Sequence, residues 1–182
     1  NYIFLGSQES MMTDIFERKK SPFYHFGKLM HLSKIPYSDF LEYIAGRLNP
    51  ADGESARSMA DKILSFTGCH PYYTQQLSSE VWEIAMYESD GQDIVSHAIE
   101  KIVTTHDYDY ERLWLNFNIT DRKTLQSICL DTISDMKRKI PSSTFASSIQ
   151  RLTKRGYVIR TDKYELEDPF FCRWILSKLN ST

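Results

Sequence analysis

The sequence predicts a mainly α, α+β fold in which a run of helices is followed by a single β-hairpin. Three observations carry this reading. Between residues 37 and 154 the apolar side chains recur at helical spacing, as in Phe40, Leu41, Ile44 and Leu48, or Met59, Ile63, Leu64 and Phe66. Breakers stand at the ends of these runs, at Asn49 to Gly53, Gly68, Pro71, Pro141 and Gly156. Only Tyr157 to Arg160 and Tyr164 to Leu166 read as short alternating strands, around Thr161, Asp162 and Lys163. With 182 residues, 41% hydrophobic and 13% aromatic, the chain can bury the cores of one large domain or two small ones.

Taken in order, Tyr2 to Leu5 reads as one apolar strand with no neighbouring strand in sequence to bury it. Ser7 can cap a helix to about Lys19 with Met12, Ile15 and Phe16 on one side, and Pro22 prevents its continuation. Leu29 to Leu32 allows a short strand. Ser38 can cap the helix carrying Phe40 to Leu48, and Asn49 to Gly53 is a loop. Helices over Glu54–Phe66, Pro71–Tyr87 and Gln92–Thr104 have joints short enough to pack on one another. Gly68 suits the left-handed end of the first of these, and Pro71 the first turn of the next. Further on, Tyr110 to Phe117 and Asp121 to Leu130 read as helices. Pro141 then breaks the chain before Ser142, Ser143 or Thr144 caps a helix bearing Phe145, Ile149 and Leu152, which Gly156 ends. Helix, helix, hairpin is the winged-helix order. Asp168 and Pro169 start a last helix whose Phe170, Phe171, Trp174, Ile175 and Leu179 pack back.

Composition excludes several classes. No apolar run approaches the roughly 18 residues of a membrane span, and Asn1 begins no signal peptide, so a soluble, cytoplasmic protein without membrane contact is expected. Cys69, Cys129 and Cys172 are odd in number and far apart, giving neither a disulfide framework nor a paired-Cys zinc spacing, and read as reduced core thiols. His25, His31, His97 and His106 put no two ligands on one helix face, so no metal site is expected. The net charge of −2 hides an asymmetry: residues 111–182 hold 13 Lys and Arg against 8 Asp and Glu, which places a boundary near Thr105 to Tyr110.

The stretch Gly68, Cys69, His70, Pro71, Tyr72, Tyr73 joins two amphipathic helices and presents a helix N-terminus beside a histidine, an arrangement suited to an anion or a nucleotide edge. It resembles the GGHP-type motif after the lid helices of archaeal-type P-loop ATPases, in the STAND branch of AAA+ proteins. Tyr2 to Ser7 resembles that family's sensor 1 strand, and Met11 to Glu17 the helix after it. Ser21, Pro22, Phe23, Tyr24 resembles its small-apolar-Tyr turn. Lys28 to Leu32 with Tyr37 to Tyr43 resembles the entry to its lid. Leu152 to Val158 and Asp168 to Trp174 resemble its winged-helix ending. Cys69 stands where the family has a second Gly, and His25 and Phe26 where it has Gly-Arg.

The resemblance implies three segments: the end of an ATPase core over 1–36, a helical lid over 37–108 and a winged helix over 109–182. It implies nucleotide contact by Ser7, Gly68, His70 and Pro71. ATP or ADP with Mg would be held by the longer protein, whose N-terminal ATPase core is the first partner, and no tight binding to this chain alone is expected. The sequence itself has no Gly-x-x-x-x-Gly-Lys-Ser/Thr string and no apolar strand ending in a Walker B acid, so this chain should not hydrolyse ATP alone. No Ser-His-Asp or Cys-His signature replaces them, and the acid pairs Asp107, Asp109 and Glu165, Glu167 read as exposed charges.

A second reading comes from charge. From Lys137 to Lys163 there are eight cations, Lys137, Arg138, Lys139, Arg151, Lys154, Arg155, Arg160 and Lys163, against the single acid Asp162. Ser142, Ser143 and Thr144 at the helix N-terminus can reach phosphates or base edges. This pattern fits a winged-helix DNA-binding transcriptional regulator with a helical partner domain. It also fits a winged helix that contacts a protein partner, or a degenerate family member with a scaffolding role.

Overall fold

The computed structural model describes residues 3, 9–28, 30, 35–48, 53–87 and 93–180; the expected strand at Tyr2 to Leu5 lies outside them except for Ile3, which has no regular structure, and that at Leu29 to Leu32 except for Met30. Among the described residues the protein is mainly helical, with one two-stranded antiparallel sheet. No described helix is long and apolar enough to cross a membrane.

Helix α1 (Glu9–Phe16) is shorter than the sequence suggests and leaves Met12, Ile15 and Phe16 half-buried. Four helices then pack in series: α2 (Tyr37–Ala45) on α3 (Gly53–Thr67), α3 on α4 (Pro71–Tyr87), and α4 on α5 (Ile94–Thr105). Ser38 does not cap α2. The helix starts two residues earlier than a Ser38 cap would set it, because Pro36 supplies the extended N-cap backbone and its carbonyl accepts the Phe40 N–H at 3.0 Å. Only His106 separates α5 from α6 (Asp107–Leu115), within the boundary expected from charge.

The remaining elements are α7 (Ile119–Cys129), α8 (Ile133–Lys139), α9 (Ser142–Lys154), β1 (Val158–Arg160), β2 (Tyr164–Leu166) and α10 (Pro169–Asn180). Asn118 caps α7 by accepting the Asp121 N–H. Ser142, Ser143 and Thr144 lie in the first turn of α9 and do not cap it; Pro141 holds that position, with its carbonyl accepting the Thr144 and Phe145 N–H groups. Gly156, at φ +79°, ends α9 as expected. The hairpin pairs Val158 with Leu166 and Arg160 with Tyr164. Asp168 caps α10 by accepting the Phe170 and Phe171 N–H groups at 2.8 and 3.1 Å. Leu179 stays exposed instead of packing back, while Phe170, Phe171, Trp174 and Ile175 are buried.

Helix α10 ties the halves together. It packs on α5 and α6 as well as on α7 and β2, so one continuous apolar cluster runs from Phe40 to Ile175. Polar ties follow the same seam: Arg173 to Glu100 at 2.5 Å, and the Trp174 indole and Lys178 ammonium to Asp107 at 2.7 and 2.8 Å.

Candidate functional site

The turn between α3 and α4 is built by two consecutive left-handed residues, Gly68 at φ +57° and Cys69 at φ +58°. For Gly this costs little; for Cys it stores about 1 kcal/mol or more, which is sustained only because the neighbouring helices fix the turn. Thr67 and Thr74 close the turn from inside, their buried hydroxyls 2.7 Å apart, and the His70 N–H bonds the Thr67 carbonyl at 3.1 Å. His70 is thereby presented at the entrance of α4. Its Nε2 lies 3.4 Å from Glu167 Oε1, and its Nδ1 is buried with no hydrogen-bond partner among the described residues.

Glu167 reaches this turn from the exit of the hairpin. Its Oε2 accepts the Tyr73 hydroxyl at 2.6 Å, so one carboxylate is bonded to Tyr73 and faces the His70 ring at the start of α4. Burial and that bond push the Tyr73 phenol well above its ordinary value. Beside it, Asp168 accepts the Tyr110 hydroxyl at 3.0 Å. Burial raises the Asp168 carboxyl, outweighing the N–H and O–H donors that favour its charged form. Asp107 and Glu167 are therefore not free exposed charges but seam residues. Their partners lie far along the chain, 94 residues for Tyr73 and Glu167, and only the adjacency of Glu167 to the Asp168-Pro169 helix start marks the position locally.

The turn divides two cavities. Gly68 and His70 line one of about 440 Å³ with Lys163, Glu165, Glu167, Cys129 and Cys172. Pro71 lines the other, about 810 Å³, between α2 and α4, with Tyr43, Arg47 and Trp82. The Arg47 guanidinium lies 4.4 Å over the Tyr43 ring, and the Ser78 hydroxyl on this cleft is buried without a partner among the described residues. Ser7, expected beside a nucleotide, lies outside the described residues.

The basic set is only partly brought together. Ser143, Thr144 and Arg151 line an open groove of about 710 Å³ with Asn118, Thr120 and Arg122. Arg151 is turned inward, giving its Nε and Nη2 to Asp121 at 3.0 and 2.6 Å. Arg155 lies over the Tyr157 ring at 5.3 Å, and Arg160 over Tyr164 at 5.7 Å. Lys163 lines the His70 cavity and not the groove of Ser143 and Thr144. Ser142, Lys154 and Lys163 have exposed side chains. Among the described residues no three His, Cys, Asp or Glu side chains are grouped to hold a metal ion.

No protein-family model, curated protein or solved structure matches this chain.

Proposed function

We propose that the chain is the lid and winged-helix portion of an ATP-binding, STAND-like P-loop ATPase, in which nucleotide state and the C-terminal segment act on one turn. The observation that carries this is the grip of Glu167 on His70 and Tyr73: the residue group assigned to nucleotide sensing is held by the end of the hairpin. Release of that grip would couple the turn to the rest of the C-terminal segment. The Pro71 cleft supports the reading, since aromatic walls at Tyr43 and Trp82, with a Ser78 hydroxyl that has no partner among the described residues, suit a planar, polar-edged base. ATP would supply the phosphoryl group and Mg the counter-charge, both from residues outside this chain.

The N-terminal segment supports it differently. Met11, Phe26 and Met30 are 54, 62 and 75% exposed, and Phe23 is 44% exposed, apolar surface of the kind that a larger core would cover. The direct test is to translate the gene upstream of Asn1 and look for a P-loop. In that longer protein, Glu167→Gln should raise nucleotide affinity about 3- to 10-fold by freeing His70, and His70→Ala should lower it, measured by equilibrium titration with a fluorescent ADP. Equal affinities in all three proteins would remove the reading.

The DNA-binding regulator remains the second reading, favoured by the groove at the N-termini of α7 and α9. Because Arg151 in that groove is engaged by Asp121, the phosphate contacts fall to Lys154 and Arg155, outside the groove at the C-terminal end of α9. Lys154→Ala should weaken duplex binding about equally for all sequences and reduce the slope of log affinity against log salt by about 1. No measurable duplex binding at low salt would eliminate this reading.

A further inference from the structure

We propose that Cys129 and Cys172 are a redox modification site, a thiol pair that closes to a disulfide by exchange with a small-molecule disulfide such as oxidised glutathione. Cys129 is the last residue of α7 and Cys172 sits in the first turn of α10, two helices that pack side by side. Both thiols line the cavity of about 440 Å³ beneath the His70 turn, and each is the leading electrostatic influence on the other. Both are half-buried, so a reagent can reach them through that cavity. Its lining carries mixed charge: exposed Lys163 and Arg173 against Glu165 and Glu167, with Arg173 already paired to Glu100.

The two sulfurs are unequal. The neighbouring Cys129 sulfur lowers the Cys172 thiol, against the opposing effects of burial and of Asp168, while the Cys172 sulfur and burial raise that of Cys129. Cys172 is therefore the attacking thiolate. It bonds one sulfur of the external disulfide, whose S–S bond breaks, and the first thiolate leaves and takes a proton from water. Cys129 then loses its proton to solvent and attacks the Cys172 sulfur. The internal Sγ–Sγ bond forms as the mixed disulfide breaks and the second thiolate leaves. Two protein thiols are oxidised by two electrons and the reagent is reduced to two thiols. Cys69 is not part of the cavity lining and serves as an internal control.

The test is to equilibrate the full chain in glutathione buffers of graded ratio, quench with acid, alkylate, and map peptides by mass. The expected result is a protein lighter by two hydrogen atoms, with the Cys129 and Cys172 peptides joined and Cys69 alkylated. Cys129→Ser should stop at a glutathione adduct on Cys172, and Cys172→Ser should leave Cys129 mostly alkylated. In the wild-type chain, separate alkylation or separate glutathione adducts at both cysteines, or a bond from either to Cys69, would overturn the proposal whatever the variants do.

Discussion

Replacing Asp121 with Ala is expected to cost about 2–3 kcal/mol of stability, with the loss concentrated in the contact between α7 and α9. The residue is 1% exposed and its carboxylate is fully engaged. Oδ1 accepts Ser148 at 2.5 Å and Arg151 Nη2 at 2.6 Å, while Oδ2 accepts Arg151 Nε at 3.0 Å and Asn118 Nδ2 at 2.9 Å. Removal strands the buried Ser148 hydroxyl, whereas half-exposed Arg151 can turn to water, which keeps the cost below that of a fully buried pair. Position in the first turn of α7 adds a favourable term from the helix dipole.

The same geometry gives the sign of a pH effect. Burial alone would raise the Asp121 carboxyl, but the Arg151 and Ser148 hydrogen bonds prevail and hold it below the usual carboxylate range. A lowered folded value means the contribution is complete above the unfolded value, roughly pH 4, and is lost as pH falls through the folded one. Urea unfolding of wild type and Asp121→Asn should therefore converge in acid. If the two curves stay parallel between neutral pH and roughly pH 3, Asp121 is not the titrating group.

How much of this was legible in the sequence depends on the range of the interaction. Helix α4 occupies the expected Pro71 to Tyr87 because Gly68 and Pro71 are local signals. Helix α8 was not expected: its sequence offers only Ile133 and Met136 as apolar residues, and its support is Lys137, Arg138 and Lys139 in the last turn, favourable to the dipole, with Met136 buried. At the starts of α2 and α9 the sequence offers hydroxyl side chains as caps, yet Pro36 and Pro141 hold those positions, since a proline carbonyl accepts the first helical N–H as well as any other. The site divides the same way. Gly68 and His70 stand out locally, but Glu167 and Asp121 read as ordinary acids because their partners come from helices elsewhere in the chain. Arg151 looked like a phosphate ligand for the converse reason: nothing nearby in sequence shows that Asp121 has already claimed it.

Phe170→Ala is expected to give the largest single loss, about 3–5 kcal/mol, a large share of the stability of any domain this size. The ring is fully buried, with centroids 5.2 Å from Phe66 on α3 and 6.1 Å from Tyr73 on α4, although Phe170 itself belongs to the first turn of α10. Truncation opens a void where three helices meet, and the Asp168 cap and the Glu167 grip hold the backbone there, so collapse recovers little. Because α10 packs on both α5 and α7, the wild-type chain should unfold in one cooperative step. Three tryptophans allow this to be read: Trp82 on α4 reports the first helices, and Trp114 and Trp174 report the seam. In urea, single-Trp versions should lose fluorescence at one midpoint, coincident with far-ultraviolet dichroism, and Phe170→Ala should move all of them down together. A Trp82 midpoint that stays in place while the Trp174 midpoint falls would mean that the helices preceding α6 are stable without α10, and that the aromatic seam is an interface between two separate folding units.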